Sequence, residues 1–122
     1  MQRLNVLLVE DNEGMRALFG FMLAKAGHQV RAAKNGLEGL AEIHVERPDI
    51  VVTDIAMPVL DGLDLVRAVK SDDNLRDLPL VVITSYGQRF CDIAKSLGAN
   101  AAIERPTEDK ELFNVLSSVI AA

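Results

Sequence analysis

Short apolar runs of strand length recur along this chain, and each is followed by a longer stretch with helical spacing. Leu4 to Val9 (LNVLLV), Ile50 to Thr53 (IVVT) and Leu80 to Thr84 (LVVIT) are rich in β-branched residues and apolar on both faces. Such strands must be covered on both sides, as the central strands of a parallel sheet are. Gln29 to Ala33 (QVRAA) and Ala101 to Glu104 (AAIE) are weaker and read as edge strands. Between the strands, Met15, Leu18, Phe19, Met22 and Leu23 form one apolar stripe, with Asn12 as its cap and Gly27 as its stop. Leu37, Leu40, Ala41 and Ile43 mark a second helix, closed by Arg47-Pro48. Leu63, Leu65, Val66 and Val69 mark a third, and Phe90, Ile93, Ala94 and Leu97 a fourth that stops at Gly98. A last helix runs through Leu112, Phe113, Leu116, Val119 and Ile120, with Thr107 as its cap. Strand–helix repeated five times predicts an α/β fold: one doubly wound, five-stranded parallel sheet with right-handed crossovers. Five strands favour the flavodoxin-like order 2-1-3-4-5.

Composition narrows the function classes. The 122 residues match one domain, expected over 1–122, and 49% hydrophobic content suffices for a buried core. Net charge is −5 and no Lys/Arg cluster occurs, which argues against direct nucleic-acid contact. No apolar run approaches the roughly 20 residues of a membrane span, and the start of the chain lacks a signal-peptide pattern. A lone cysteine, Cys91, forms no internal disulfide and reads as a small buried filler in a cytoplasmic protein. His28 and His44 lack metal-ligand spacing and are expected in solvent.

In sheets of this order, ligands bind beyond the carboxyl ends of the strands, where the strand order reverses. Strands one and three meet there, and their ends carry Glu10, Asp11 and Asp54. Three converging carboxylates repel and raise one another's pKa unless a cation lies among them. Magnesium, which prefers a few carboxylates, carbonyls and waters, meets that need. Thr84 at the end of strand four adds a hydroxyl donor, and Arg105 after strand five adds a fixed cation. A carboxylate nucleophile, a metal, a hydroxyl and a cation make up the equipment of phosphoryl transfer. Each residue also has a plainer role open to it. Strand-end acids cap helices, Thr84 suits a strand, and Arg105 could pair with Glu104 or Glu108 at the surface. Asp61-Gly62 reads as structural, turning a loop into helix three.

Taken in order, Val9-Glu10-Asp11, the stretch Asp54-Ile55-Ala56-Met57-Pro58-Val59-Leu60-Asp61-Gly62, Thr84-Ser85, Gly98-Ala99-Asn100 and Arg105-Pro106 resemble the signature of response-regulator receiver domains. The resemblance spans essentially the whole chain. It implies a magnesium-dependent signalling module of two-component phosphorelay, not an enzyme acting on a separate substrate, that promotes its own phosphorylation and dephosphorylation. Asp54 would take a phosphoryl group from a sensor histidine kinase or phosphotransfer protein. Glu10, Asp11, Asp54 and the Ala56 carbonyl would hold Mg2+, and Thr84 and Arg105 would face the phosphoryl group. A downstream protein target would follow, and the helix 4/strand 5/helix 5 face is the family's usual contact and homodimer surface. Two positions depart from the pattern. Arg105 stands where the family has Lys, in a Lys-Pro bond that is usually cis, and Ala102 stands where a switching Tyr or Phe is common. Output would then use another route, such as the loop after Thr84, with Tyr86 and Phe90 as contact candidates.

The rivals are weaker. A haloacid-dehalogenase-type phosphatase needs a second acid two residues after its nucleophile, where this chain has Ala56. A flavodoxin needs a Ser/Thr/Gly phosphate loop, where Glu10-Asp11-Asn12-Glu13 would repel phosphate, and no Walker-type G-x-x-x-x-G-K-[ST] element occurs. A pseudo-receiver, folded alike but acting without phosphate, is the rival that Arg105 and Ala102 keep open.

Overall fold

A computed structural model describes residues 3–105 and 109–121. The elements run β1 (Asn5–Val9), α1 (Glu13–Lys25), β2 (Gln29–Ala33), α2 (Gly36–Val45), β3 (Ile50–Asp54), α3 (Gly62–Ser71), β4 (Leu80–Thr84), α4 (Gln88–Ser96), β5 (Ala101–Glu104) and α5 (Asp109–Ala121). All four strand pairings are parallel and the order is β2-β1-β3-β4-β5. The two weakest apolar runs, β2 and β5, are indeed the edges. The capping of α5 by Thr107 and the geometry of the Arg105-Pro106 bond lie outside the described residues.

Side chains alternate across a strand, so each strand feeds two cores. On one face Leu7, Val9, Val51, Leu80 and Val82 pack with Ile43 of α2, Leu65 of α3 and Ala94 of α4. On the other, Leu4, Val6, Leu8, Ile50, Val52, Val81, Ile83 and Ile103 pack with Phe19 and Leu23 of α1 and Leu112 and Leu116 of α5. Most of these are almost fully buried, and each such aliphatic side chain stabilises the fold by about 1.5–3 kcal/mol relative to leaving it exposed.

The helix stripes are narrower than the sequence suggested. Leu18 and Leu37, expected on buried faces, are 52% and 57% exposed. In α1, Leu18 and Phe21 are both exposed while Phe19 and Leu23 point inward; an all-round apolar helix gives no unique face from periodicity alone. His28 needs a larger correction. Rather than being solvated, it is buried, and its Nδ1 accepts the Leu4 N–H at 3.1 Å. The turn between α1 and β2 folds it over the start of β1, which supplies an otherwise unpaired donor. His44 is exposed in the last turn of α2, as expected.

At the amino ends of β4 and β5, Lys70 of α3 ties three segments together. Its Nζ donates to the carbonyls of Arg76 and Leu78, each at 3.0 Å, and its Cγ would lie 2.8 Å from a Cβ at Gly98. Asn100 completes the tie: its Oδ1 accepts the Leu80 N–H at 3.0 Å, while its own N–H donates to the Leu80 carbonyl at 2.8 Å. Gly98 has φ +117°, a conformation in which a side chain is strained.

Candidate functional site

Strand alternation aims the key residues before any loop is considered. Glu10 follows β1 in step with Leu4, Val6 and Leu8, Asp54 ends β3 in step with Ile50 and Val52, and Arg105 follows β5 in step with Ile103. All three therefore emerge on the α1/α5 side of the sheet, at its carboxyl edge. Glu10 is 2% exposed and Asp54 8%. Asp11 is exposed, yet Glu10, Asp11 and Asp54 each bring one carboxylate oxygen within 4.8 Å of the other two.

The backbone fixes one oxygen of each buried acid. Glu10 Oε2 accepts the Asn12 N–H at 3.1 Å, and Asp54 Oδ1 accepts the Ile55 N–H at 2.7 Å. The Asn12 side chain in turn caps α1 by accepting the Met15 N–H at 2.9 Å. Arg16 Nη1 donates to the Glu10 carbonyl at 3.0 Å, closing the loop from behind. Arg105 meets the remaining oxygens, with Nη2 3.0 Å from Asp54 Oδ2 and Nη1 3.6 Å from Glu10 Oε1. It does not pair with Glu104, the surface role weighed from sequence; Glu108 lies outside the described residues. Burial raises the Glu10 carboxyl to about 7; the Asn12 N–H opposes this, the Asp54 charge adds to it, and the Arg105 guanidinium lowers it somewhat. One guanidinium thus leaves the acid cluster short of positive charge.

The loop after β3 is built to let a helix start beside Asp54. Asp61 Oδ1 caps α3 by accepting the Asp64 N–H at 2.8 Å, and the Gly62 N–H donates to the Ile55 carbonyl at 2.8 Å. A Cβ on Gly62 would lie 2.0 Å from the Asp54 carbonyl oxygen, so the structural role read for Asp61-Gly62 holds. Val59 in this loop has φ +73° and is exposed.

Thr84 is fully buried, and its Oγ1 accepts the Tyr86 N–H at 3.1 Å, which leaves its O–H free to donate. By alternation it sits in step with Leu80 and Val82, on the opposite sheet face from Asp54. Among the described residues it makes no hydrogen bond to Asp54. Tyr86 is 59% exposed and its ring lies edge-on to Phe90 at 6.0 Å. With Ile55, Ala56, Met57 and Asp61 the two rings line a cleft beside the site. Cys91 is free and buried, and burial pushes its thiol pKa up, away from reactivity.

Sequence reasoning missed Phe19, whose ring centroid lies 5.7 Å from Cζ of Arg105. Only the packing of α1 against the sheet reveals it, since the stripe marks Phe19 simply as core.

The donor set suits a hard divalent cation: three carboxylates, oxygen donors throughout, in a pocket where burial and a like charge raise the pKa of the buried Glu10 carboxyl. Among the described residues no helix is long and apolar enough to cross a membrane. Comparison with known proteins converges on one family. Residues 6–117 match the model of the response regulator receiver domain. Protein PilH of Pseudomonas aeruginosa is 32% identical over 117 residues, covering 95% of this chain and 97% of its own. Sporulation initiation phosphotransferase F of Bacillus subtilis is 32% identical over 122 residues, covering 98% and 96%. The crystal structure of chemotaxis response regulator CheY4 of Vibrio cholerae superposes with a TM-score of 0.87 at 28% identity, covering 97% and 99%. With its sheet order, its strand-end acids and these relatives in agreement, the chain belongs to the response regulator receiver domains of two-component signalling.

Proposed function

We propose that Asp54 is the phosphoryl acceptor of this receiver, and that Glu10, Asp11, Asp54 and the Ala56 carbonyl hold Mg2+. The observation that carries this reading is the buried acid pair at the ends of β1 and β3, with Asp11 beside it and one arginine spanning it. The Ile55 N–H orients Asp54 through Oδ1, so Oδ2, on the Arg105 side, is the attacking oxygen. It forms the new O–P bond as the P–N bond of a donor phosphohistidine breaks, and the leaving imidazole keeps the electron pair and takes up a proton. Bound Mg2+ supplies charge neutralisation for the phosphoryl oxygens and the acids. Arg105 adds a second positive charge, and the Thr84 O–H would donate to the phosphoryl group only after the end of β4 moves toward it, since Thr84 now accepts the Tyr86 N–H. A sensor histidine kinase or phosphotransfer protein is the donor class, a downstream protein the target. The buried free thiol of Cys91 suits a reducing cytoplasm.

Mass spectrometry after incubation with acetyl phosphate and Mg2+ tests this. The expected result is one added phosphoryl group on the wild type and none on Asp54→Asn. An unlabelled wild type, under conditions that label a control receiver, would refute it. That outcome would favour a phosphate-independent interaction module, a reading supported by the clamp of Arg105 on Asp54 and by the small Ala102.

A further inference from the structure

All four oxygens of the buried acid pair face a partner. On Glu10, Oε2 takes the Asn12 N–H and Oε1 faces Arg105 Nη1; on Asp54, Oδ1 takes the Ile55 N–H and Oδ2 takes Arg105 Nη2. The backbone holds one oxygen of each acid, and a single planar fork holds the other two. A guanidinium spans two acceptors as one rigid unit, whereas an ammonium is a point charge on a flexible stem.

The fork is itself seated. The Arg105 N–H donates to the Thr84 carbonyl at 2.7 Å, fixing the root of the side chain to the end of β4. Its Cζ lies 5.7 Å from the centroid of Phe19, a ring 5% exposed in the α1 core. Nε finds no acceptor among the described residues. The guanidinium is thus held by its two Nη atoms and by the negative face of the ring, an attraction that strengthens when water is excluded.

We infer that Phe19 is a positioning residue. Its ring seats Arg105 across Glu10 and Asp54 as an internal counter-cation that competes with Mg2+ and covers Asp54 Oδ2. A divalent cation binds fully only when the fork lifts, so the fraction of molecules with the fork lifted sets the apparent affinity. Removing the ring weakens the seat, raises that fraction and tightens binding. Covering of the acceptor oxygen rests on the assignment of Asp54 above; the competition with Mg2+ does not.

Calorimetric titration of the full 122-residue chain with magnesium chloride, without phosphodonor, tests the inference. Phe19→Met, similar in volume but without a ring, is expected to bind Mg2+ about three- to tenfold more tightly than wild type, the size of coupling between residues in contact. Phe19→Tyr keeps a ring and is expected to keep wild-type affinity. In an Arg105→Gln background, Phe19→Met is expected to change the affinity by less than about twofold, because the group it seats is gone. An equal shift in both backgrounds, or none in either, would overturn the inference, since a merely structural Phe19 acts without regard to Arg105. Should Phe19→Met fail to fold, Arg105→Lys decides: it keeps the charge and loses the fork, and wild-type affinity in that variant would overturn the inference. Mg2+ binding absent from wild type and Arg105→Gln alike would instead overturn the metal site itself.

Discussion

Gly62 offers a sharp test of how the site is built. A Cβ there would lie 2.0 Å from the Asp54 carbonyl oxygen, 2.8 Å from Ile55 Cα and 2.9 Å from the Asp54 carbonyl carbon. Every one of these is backbone, so no rotamer change relieves the clash. In Gly62→Ala the start of α3 must back away from the end of β3, loosening the 2.8 Å bond from Gly62 N–H to the Ile55 carbonyl. Overpacking of this kind costs about 1–3 kcal/mol, and a weakened hydrogen bond about 1 kcal/mol more. Alanine regains up to about 1 kcal/mol through helix propensity. The net expectation is a loss of about 1–3 kcal/mol, read as a lower urea midpoint at unchanged slope, together with reduced phosphoryl labelling of Asp54 because its carbonyl is the atom displaced. Gly20→Ala in α1 is the control. Its Cβ would meet only Leu8 Cδ2 at 4.0 Å, an ordinary contact, so stability should hold or rise by up to about 1 kcal/mol. Wild-type stability and labelling in Gly62→Ala would show that the close approach of Gly62 to the Asp54 carbonyl does not support the site.

Further outcomes follow from other residues. His28 is buried and its pKa lies below the ordinary 6.5, so as pH falls the unfolded chain takes up the proton first. The stability His28 contributes is present above about 6.5 and is lost as pH falls below it; the advantage of wild type over His28→Gln in urea should therefore shrink from about pH 8 to about pH 5, and a constant gap would contradict the burial argument. Asp61→Ala removes the cap of α3 and should cost about 1 kcal/mol in chemical denaturation, with no change at all counting against the capping role. Ala102 is small and packs on the same core as Phe90, so output is expected through the backbone after Thr84. Hydrogen exchange over residues 85–105 should change on phosphorylation, and identical exchange in both states would exclude that route.

The fold was legible because both-face apolar runs and edge runs differ in composition, and the structure places Ala101–Glu104 and Gln29–Ala33 at the rims accordingly. The acid pocket was legible for a related reason: residues that end neighbouring parallel strands must meet at one edge. What period and motif did not carry was long-range packing. His28 looked solvated because its acceptor role depends on Leu4, 24 residues away. Leu18 and Leu37 looked buried because an apolar residue at helical spacing says nothing of where the sheet ends beneath it. Asn35, whose side chain caps α2 by accepting the Glu38 N–H at 2.7 Å, was a local signal passed over. Arg105 was identified as a cation near the site, but its choice of Asp54 over Glu104 is set by strand alternation and by the shelter α1 gives it.

The Lys70 tie at the far end of the sheet bears on how such a domain transmits anything. Burial lowers the Lys70 pKa, yet its ammonium is shared between two loop carbonyls. It closes the α3–β4 loop, and its stem lies against the turn before β5. That end is braced across α3 and the β4 loop, whereas the Asp54 edge carries the exposed Tyr86 and Val59. The two ends of the sheet are thus built differently: one is cross-braced by a single side chain, and the other holds its charges through backbone N–H groups and one arginine.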